Sequence, residues 1–462
     1  MAASLEAFTS PWKNGNKNLK KVINLSEQMT KKVGFISLGC DKNRVDLEKM
    51  MYKIKNAGFL LVENLDDADI ILVNTCAFIA KAREEAINTI LDVVMRKNSG
   101  LCEKIVVTGC LSERHSDELI EAIPELDKVV KLSENNQIDQ ILCNLYNIKP
   151  PKAKKSNLDR ILSQAPHLAY LKIADGCNNC CAYCTIPRIR GRFKSEPLDN
   201  LIEEAESLAD MGVKELMIVA QDITRYGTDI YGETKLVELL EKLSKIQKIE
   251  RIRLHYCYPE MIDDKLLSLI ESNHKICGYL DIPLQHIDND ILKKMNRRSS
   301  EQTILELIKK IQSLKRKIAI RSTFIVGFPG ETKKQFKKLC QFLRDYKLDN
   351  VGFFAYSRED KTSAAYMDKQ IPNFIKQRRL KYIQKLQTKI QNEKNINKLG
   401  EVREVLIDRF DEFDGNFYGR DEYNSFDVDF EVQINSDQLE IGKIYKLKLI
   451  DYKNQCFVGE LI

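Results

Sequence analysis

The chain has 462 residues, of which 43% are hydrophobic, and its 73 Lys and Arg exceed its 67 Asp and Glu to give a net charge of +6. This length and composition exclude a disordered, collagenous or single small-domain protein and predict about three domains at roughly 150 residues each. The longest apolar runs fall short of the ~20 residues that a membrane-spanning helix needs, so we expect a soluble protein with no membrane partner. The 13 cysteines favour metal or redox chemistry in a reducing cytoplasm over a disulfide framework.

Residues 1–31 contain only two acids, Glu6 and Glu27, and no Arg. They lack the apolar core of a secretory signal and the Arg of a transit peptide, so we interpret them as a disordered extension. Over residues 32–148 the sequence alternates strand and helix patterns. Such alternation predicts an open parallel α/β sheet whose faces are covered by helices. The strand patterns are VGFISLGC, ADIILVNTC and KIVVTGC.

A cluster of prolines and lysines predicts a linker over residues 149–167. Residues 168–356 repeat the alternation of strand and helix six times, which predicts a partial (βα)6 barrel with its chemistry at the carboxyl ends of the strands. A basic helix over residues 375–398, in which Glu393 is the only acid, completes a central domain of residues 168–398. The barrel strand patterns are HLAYLKIA, ELMIVAQ, RIRLHYCY, GYLDIPLQ, IAIRSTFIV and NVGFFAYS.

Residues 399–462 consist of short apolar runs divided by Gly and Asp, which predicts a small all-β barrel or sandwich. Residues 401–462 carry 15 Asp and Glu against 7 Arg and Lys, a net charge of −8, so the rest of the chain carries +14. Surplus negative charge repels RNA and attracts a basic protein. We therefore expect a basic protein partner, although the basic helix and the positive body leave an RNA partner open.

The sharpest local signal is the loop DGCNNCCAYCTIP, which directly follows the first barrel strand. Three thiolates on one short loop can bind three irons of a four-iron cluster and leave the fourth iron open to a small ligand. A zinc loop would need a fourth ligand. Two ligand sets fit the spacing: Cys177, Cys181 and Cys184, or the same set with Cys180 in place of Cys181.

A second set consists of Cys40, Cys76 and Cys110, each placed where an apolar strand pattern ends. In an open parallel sheet, ligands bind beyond the carboxyl ends of the strands, so three such cysteines can converge on one place. The alternative is that each is an ordinary buried cysteine. Because all three share one structural role, we predict a second iron–sulfur cluster with an open iron.

The pattern C-x3-C-x-aromatic-C after the first strand of a βα barrel resembles the signature of radical S-adenosylmethionine enzymes. Two three-cysteine sets followed by a small β domain are similar to the methylthiotransferase family from about residue 32 onward. The resemblance implies two 4Fe-4S clusters, S-adenosylmethionine on the free iron of the radical cluster, and a TRAM domain at residues 399–462. It assigns the radical cluster to Cys177, Cys181 and Cys184, with Cys180 a bystander, and a sulfur-donating auxiliary cluster to Cys40, Cys76 and Cys110.

Enzymes of this family insert a methylthio group at an unactivated C–H bond. A general base cannot remove a proton from a carbon that lacks acidity at useful rates, so a cofactor-derived radical performs the difficult step. The resemblance therefore implies a low-potential electron donor and a sulfur donor as further partners.

The family pattern also implies contacts with S-adenosylmethionine, and each has a plainer alternative. Tyr183 lies near the adenine or packs against the cluster loop. Gln221, together with Asp222 and His286, touches cofactor or substrate, or caps a following helix. Gly327 and Glu331 form a cofactor loop or an ordinary βα turn. We place the remaining histidines with polar neighbours, His115, His167 and His274, at the surface.

Family members act on tRNA adenosine or on an aspartate of protein twelve of the small ribosomal subunit, and local motifs resemble the second branch. These motifs include SLGC at 37–40, VAQD at 219–222 and YLDIPLQH at 279–286. The tRNA branch typically has Asn in place of Asp222 and Ser in place of His286. With the acidic C-terminal segment, they predict methylthio insertion at the β carbon of that aspartate. The alternatives are a tRNA adenosine methylthiotransferase and a non-catalytic iron–sulfur protein that docks on the ribosome.

Overall fold

The computed structural model describes residues 31–149 and 159–462, which form an N-terminal sheet (residues 32–145), a central barrel (168–396) and a C-terminal barrel (402–461). Nearly all of the predicted extension and residues 150–158 of the predicted linker lie outside the described residues. Within the described residues, 31–149 and 159–462, no helix is long and apolar enough to cross a bilayer.

The N-terminal sheet is the open parallel α/β arrangement that the alternation predicted. Its strands are β1 (Lys32–Ser37), β2 (Leu60–Val62), β3 (Ile70–Thr75), β4 (Lys104–Gly109) and β5 (Lys128–Val129), and its helices are α1 (Asp41–Asn56), α2 (Ala80–Asn98), α3 (Cys110–Ala122) and α4 (Ile138–Leu145). The strand order is β2-β1-β3-β4-β5, with every pair parallel. Since the chain moves from β1 outward to β2 and then back to β3, the boundary between β1 and β3 is the switch point at which such sheets bind ligands. β3 is buried at every position because helices cover both faces.

The central barrel contains the six predicted parallel strands in the order β13-β12-β11-β10-β9-β6, and β7 pairs with β8 in a short antiparallel ribbon. The strands are β6 (Leu168–Lys172), β7 (Ala174–Asp175), β8 (Lys194–Ser195), β9 (Glu215–Val219), β10 (Arg251–Leu254), β11 (Ile276–Asp281), β12 (Ala319–Val326) and β13 (Asn350–Ala355). The helices are α5 (Ile186–Ile189), α6 (Leu198–Asp210), α7 (Leu236–Ser244), α8 (Asp264–Ser272), α9 (Asn289–Lys294), α10 (Glu301–Gln312), α11 (Lys333–Tyr346) and α12 (Asn373–Ile396). The helices pack their apolar stripes on the outer face of the strands, and this forms the largest apolar core of the described chain. Short 3-10 helices occur at Leu65–Asp67, Leu132–Gln137, Ile223–Arg225, Pro259–Met261 and Ser363–Tyr366.

The C-terminal region is a closed five-stranded barrel, with the strand order β14-β15-β16-β18-β17, and not a sandwich. Its strands are β14 (Val402–Asp411), β15 (Asn416–Arg420), β16 (Val432–Ile434), β17 (Ile444–Lys453) and β18 (Cys456–Leu461). Closure removes exposed strand edges and encloses a small core that includes Val405, Leu447 and Phe457.

Buried charges join the C-terminal barrel to the inner face of the central barrel. Glu215 pairs with Arg253 at 2.7 Å and with Arg420 at 3.0 Å, and all three side chains are at most 1% exposed. Burial alone would raise the pKa of Glu215, but the two guanidinium groups hold it well below its usual range. His167, expected at the surface, is instead buried, and its Nε2 lies 3.0 Å from Asp408 Oδ1, because the C-terminal barrel covers the residue just before β6.

Candidate active site

Cys40, Cys76 and Cys110 lie just beyond the carboxyl ends of three adjacent strands of the N-terminal sheet. Cys40 comes after the Leu38-Gly39 turn that follows β1, whereas Cys76 and Cys110 immediately follow β3 and β4. Gly39 has φ +98°, and a Cβ on it would lie 2.9 Å from the Cβ of Cys76. The turn therefore requires glycine, both for its backbone conformation and for the close approach of the two cysteine segments.

Asn43 in the first turn of α1 connects the three cysteine segments. Its Nδ2 donates to the carbonyl oxygen of Thr75 at 2.9 Å and to that of Leu38 at 3.3 Å, and its Oδ1 lies 3.5 Å from Cys110 Sγ. The side chain is buried, so these bonds are shielded from water. Asn43 thus holds the ends of β1 and β3 and the thiol after β4 in one arrangement.

The three thiols present a soft, oxygen-poor donor set. Burial raises the pKa of Cys110 to about 12, and the neighbouring thiols Cys40 and Cys76 act in the same direction. Burial also raises the pKa of Cys76. Within 31–149 and 159–462, no three His, Cys, Asp or Glu side chains converge closely enough to bind a single ion. A four-iron cluster binds each thiolate at a different iron and spaces its ligands more widely, so this donor set fits a cluster better than one ion.

The loop after β7 presents Cys177, Cys181 and Cys184 from a tightly held backbone. The N–H of Asn179 lies 3.4 Å from Cys177 Sγ, and the N–H of Ile186 lies 3.4 Å from Cys184 Sγ. Burial raises the pKa of Cys177 to about 11, and it raises the pKa of Cys184 as well. Backbone N–H bonds to sulfur stabilise the thiolate form that iron requires, so this loop also fits a cluster.

Cys181 receives two further polar contacts from the barrel. The hydroxyl of Tyr258 lies 3.5 Å from Cys181 Sγ, and Arg297 Nη1 lies 3.8 Å from it. The guanidinium of Arg297 stacks 4.2 Å from the centre of the Tyr258 ring, which fixes its position. Neither residue was predicted, because Tyr258 follows β10 and Arg297 follows α9, both far from the cysteine loop in sequence.

Cys180 differs from the three cysteines around it. It is exposed and has φ +51°, a left-handed conformation that turns the backbone between Asn179 and Cys181. Its carbonyl oxygen accepts a hydrogen bond from Asn296 Nδ2 at 2.8 Å, which holds this turn in place. Of the two ligand sets that the spacing allowed, the one with Cys181 is therefore the one whose thiols are sheltered from water.

A charged network lies between the two cysteine sets and connects them. Arg190, which follows α5, donates to Asn43 Oδ1, to Asp46 Oδ2 at 2.9 Å and to Asp175 Oδ2 at 2.8 Å. Lys172 at the end of β6 also pairs with Asp46 and lies 3.0 Å from Asp175. Because Asp175 begins the cysteine loop of residues 175–187 and Asn43 holds the other cysteines, Arg190 links the two cysteine sets directly. Its position six residues after Cys184 is the only sequence signal that could have identified it.

A second clamp fastens the barrel to the N-terminal sheet beside Cys76. Glu359, which follows β13, is buried and accepts hydrogen bonds from the N–H of Ala80 at 2.7 Å and from Arg114 Nη1 at 2.9 Å. It also pairs with Arg83. A carboxylate at the first N–H groups of α2 is favoured by the helix dipole, so this contact fixes the open side of the barrel.

The structure places Gln221 and Asp222 beside the cysteine loop of residues 175–187. Gln221 Nε2 donates to Asp175 Oδ1 at 3.1 Å, whereas its Oε1 is buried without a hydrogen-bond partner among the described residues. Asp222 is fully buried and accepts from Asn179 Nδ2 at 2.8 Å and from the N–H of Thr224. Asp222 thus caps the 3-10 helix Ile223–Arg225 and also holds the cysteine loop through Asn179.

Glu331, Gly327 and His286 meet at the carboxyl ends of β11 and β12. Glu331 Oε2 accepts from the N–H of Gly327 and pairs with Arg379 at 3.1 Å, which closes the turn. Its Oε1 lies 3.9 Å from His286 Nε2, and both atoms are buried without a hydrogen-bond partner in the described ranges. Tyr183 packs against a small apolar cluster with Phe328 and contacts Cys181.

Comparison with known proteins identifies the family. The model of the Radical SAM superfamily matches residues 171–343, and that of the "Uncharacterized protein family UPF0004" matches residues 32–131. The "Ribosomal protein uS12 methylthiotransferase RimO" of Clostridium botulinum (strain Eklund 17B / Type B) is 44% identical over 442 residues, covering 93% of this chain and 98% of the relative. The protein of the same name from Clostridium perfringens (strain SM101 / Type A) is 44% identical over 427 residues, covering 90% and 95%.

The solved structure of the radical S-adenosylmethionine methyltransferase TsrM from Kitasatospora setae shares the fold, with a TM-score of 0.54, 14% identity, and coverage of 70% of this chain and 72% of that one. The identity and coverage of the two clostridial relatives far exceed what a shared fold requires. The chain therefore belongs to the RimO family of radical S-adenosylmethionine methylthiotransferases.

Proposed function

We propose that this protein inserts a methylthio group at the β carbon of an aspartate in protein twelve of the small ribosomal subunit, uS12. The observation that carries the proposal is the link between the two cysteine sets through Asn43, Arg190 and Asp175. A transfer of sulfur to a carbon radical needs the sulfur source beside the site where the radical forms. Membership of the RimO family supplies the identity of the substrate.

Two 4Fe-4S clusters and S-adenosylmethionine, when bound, supply the deoxyadenosyl radical, the sulfur and the methyl group. The radical cluster would be held by Cys177, Cys181 and Cys184, and the auxiliary cluster by Cys40, Cys76 and Cys110. The physiological reaction also requires a low-potential electron donor and a sulfur donor, both of which act in the reducing cytoplasm.

The chain's own residues hold these groups and compensate their charge. Arg297 places a positive charge 3.8 Å from Cys181 Sγ, and Arg190 places another near Cys110 and Cys40. Cations and N–H donors beside sulfur raise the reduction potential of an iron–sulfur cluster. Asp46 and Asp175 in turn neutralise Arg190, so the network adds little net charge while it fixes the geometry.

Buried polar atoms without partners support a binding pocket at the strand ends. Gln221 Oε1, His286 Nε2 and Glu331 Oε1 are buried and have no hydrogen-bond partner among the described residues. Such groups cost free energy unless a ligand satisfies them. We assign cofactor contacts to Gln221, Glu331 and the nearby Gly327, and a packing contact with the cofactor to Tyr183.

The surface charge of the C-terminal barrel, which we assign as a TRAM domain over residues 399–462, supports a basic protein substrate. Residues 401–462 expose eight carboxylates against four lysines. Part of the −8 that the sequence shows is neutralised by the central barrel, because Asp429 pairs with Arg321 and Glu422 pairs with Arg316. The remaining exposed surplus still repels RNA and favours encounter with a basic ribosomal protein. We assign the N-terminal domain to residues 32–148 and the central radical S-adenosylmethionine barrel to residues 168–398.

Mass spectrometry after anaerobic reconstitution tests this function. The protein is incubated with S-adenosylmethionine, sulfide and dithionite, with uS12 in one tube and unmodified tRNA in another. We expect a methylthio gain on an aspartate of uS12 and none on tRNA nucleosides. A gain on tRNA alone refutes the substrate, and no gain with no deoxyadenosine refutes the enzyme assignment.

A matched pair of variants tests the cluster ligands in the same assay. Cys181→Ala should abolish deoxyadenosine formation and remove one cluster. Cys180→Ala should retain both deoxyadenosine formation and the cluster, because its thiol is exposed to solvent. The opposite pattern would assign the ligand role to Cys180.

A further inference from the structure

A basic groove between α11 and α12 lies outside the candidate active site. It encloses about 600 Å³ and opens to solvent along both helices. Its lining combines cations with aromatic rings: Lys333, Phe336, Lys337, Arg344, Arg378 and Tyr382. Phe336 also packs against the core of the central barrel, and Arg379, which lines the groove too, pairs with Glu331.

The charge of the groove is not neutralised within the described chain. The two helices contain twelve Lys and Arg against two acids, Asp345 and Glu393. Other cations nearby are paired, such as Lys338 with Glu301 at 2.6 Å. In contrast, Lys333, Lys337 and Arg378 are exposed, and none has an acidic side chain within ion-pairing distance among the described residues.

The cations form two rows that face one channel. Lys333, Lys337 and Arg344 recur at spacings that put them on one face of α11, over about 16 Å of helix. Arg378 and Tyr382 begin a similar row on α12, which Lys385 and Lys389 continue at helical spacing. Arg344 Nη2 lies 3.4 Å from the hydroxyl of Tyr382, so the rows meet across the groove. Two rows of positive charge suit a polymer with one negative charge at every repeat.

Aromatic rings in the groove favour a nucleic acid over an acidic polypeptide. Tyr382 is 52% exposed, and its ring packs against Phe336 with a centroid separation of 6.0 Å. An exposed ring between cations provides a stacking surface for a base, as in proteins that bind single-stranded RNA. An acidic peptide would use the cations but leave these rings exposed.

The groove begins at the edge of the candidate active site. α11 starts two residues after Glu331, and Lys376 near the start of α12 donates to the carbonyl oxygen of Tyr356 just beyond β13. Both helices therefore start at the carboxyl ends of β12 and β13. A strand bound in the groove would lie beside the entrance for substrate.

We propose that this groove binds the phosphodiester backbone of ribosomal RNA next to the protein substrate, so that the assembled small subunit is preferred to free uS12. The choice of ribosomal RNA rests on the proposed function, whereas RNA binding by the groove does not.

Fluorescence anisotropy with a fluorescein-labelled 20-nucleotide single-stranded RNA tests the binding, at 50 to 200 mM KCl. The variant K333Q/K337Q/R378Q removes three groove charges, and K245Q/K248Q/K265Q removes three exposed charges after α7 and on α8 as a matched control. We expect the groove variant to bind at least tenfold more weakly than the control. Its plot of log K against log[KCl] should be shallower by about 2, since each phosphate contact contributes about 0.7 for a single strand.

Three outcomes overturn the binding proposal. The first is that the groove variant binds RNA as tightly as the control variant does. The second is that the wild-type protein shows no salt-dependent RNA binding. The third is that poly-L-glutamate binds the groove while RNA does not. The last outcome would assign the groove to an acidic polypeptide.

Activity assays separate this inference from the proposed function. The groove variant should modify a uS12 peptide at the wild-type rate and the assembled subunit at least tenfold more slowly. Equal rates on both substrates contradict the role in subunit recognition. If the wild-type protein modifies neither substrate, the proposed function fails while the RNA-binding result is unaffected.

Discussion

Arg190→Gln is the substitution that tests the link between the two cysteine sets. The side chain of Arg190 is 2% exposed and bonds to Asp46 at 2.9 Å and Asp175 at 2.8 Å. Removing one partner of a buried ion pair lowers the free energy of unfolding by about 3 to 5 kcal/mol, because the other partner stays buried and unpaired. Lys172 still pairs with both carboxylates, and Asp175 is 34% exposed, so we expect the low end, about 3 kcal/mol.

Hydrogen exchange measures this loss locally, which matters because a chain with three joined regions need not unfold in one step. Peptides from residues 41–50 and 174–192 should exchange about a hundredfold faster in Arg190→Gln, since 1.4 kcal/mol corresponds to a factor of ten. Arg188→Gln on the neighbouring helix is the control, because Arg188 is exposed and should change exchange little. Equal protection in the two variants would refute the account of Arg190 as a link.

Three further predictions concern the cysteine site and the barrel junction. Cys110→Ala should halve the iron content of the reconstituted protein. Cys102→Ala removes a buried cysteine at the opposite, amino end of β4 and should leave the iron content unchanged; equal iron in the two variants would exclude Cys110 as a ligand. Gly109→Ala should lower the free energy of unfolding in urea by about 3 kcal/mol, because φ is +99° and the new Cβ would lie 2.4 Å from the carbonyl oxygen of Thr75. Gly100→Ala is the control: its φ is +76° and no atom lies within 4 Å of the new Cβ, so it should cost about 1 kcal/mol. Similar losses in the two variants would contradict the packing argument. Because the pKa of Glu215 is held below its usual value, its stabilising contribution is complete above about pH 4.3, the usual pKa of Glu, and falls as acid is added below that pH. Glu215→Gln should therefore be less stable at pH 7 yet lose less stability between pH 5 and pH 3 than the wild type, and parallel curves for the two proteins would show that Glu215 does not contribute.

The strand and helix alternation was sufficient to predict the two parallel structures because most strands are largely apolar runs followed by an amphipathic helix. The same reasoning could not find β15, whose sequence NFYGR has no alternation, nor the two-residue strands β7 and β8. These segments become strands only because a partner strand already lies beside them. Tertiary packing, and not local propensity, determines them.

Site residues divide in the same way. Cysteines at strand ends could be predicted, since their residue type and placement already indicate iron–sulfur chemistry, although their role as ligands stays a prediction. Arg190 and Asn43 could not, because they are 147 positions apart and act only where the barrel meets the N-terminal sheet. His167 was misplaced for the same reason, because Asp408 that binds it comes from the C-terminal barrel.

Electron paramagnetic resonance of the fully reduced, reconstituted protein tests the central claim that two clusters lie side by side across the Arg190 network. We predict magnetic interaction between two reduced clusters, seen as broadening that disappears in both Cys110→Ala and Cys181→Ala. A wild-type spectrum equal to the sum of the spectra of those two variants would show that the clusters are far apart and would contradict the account.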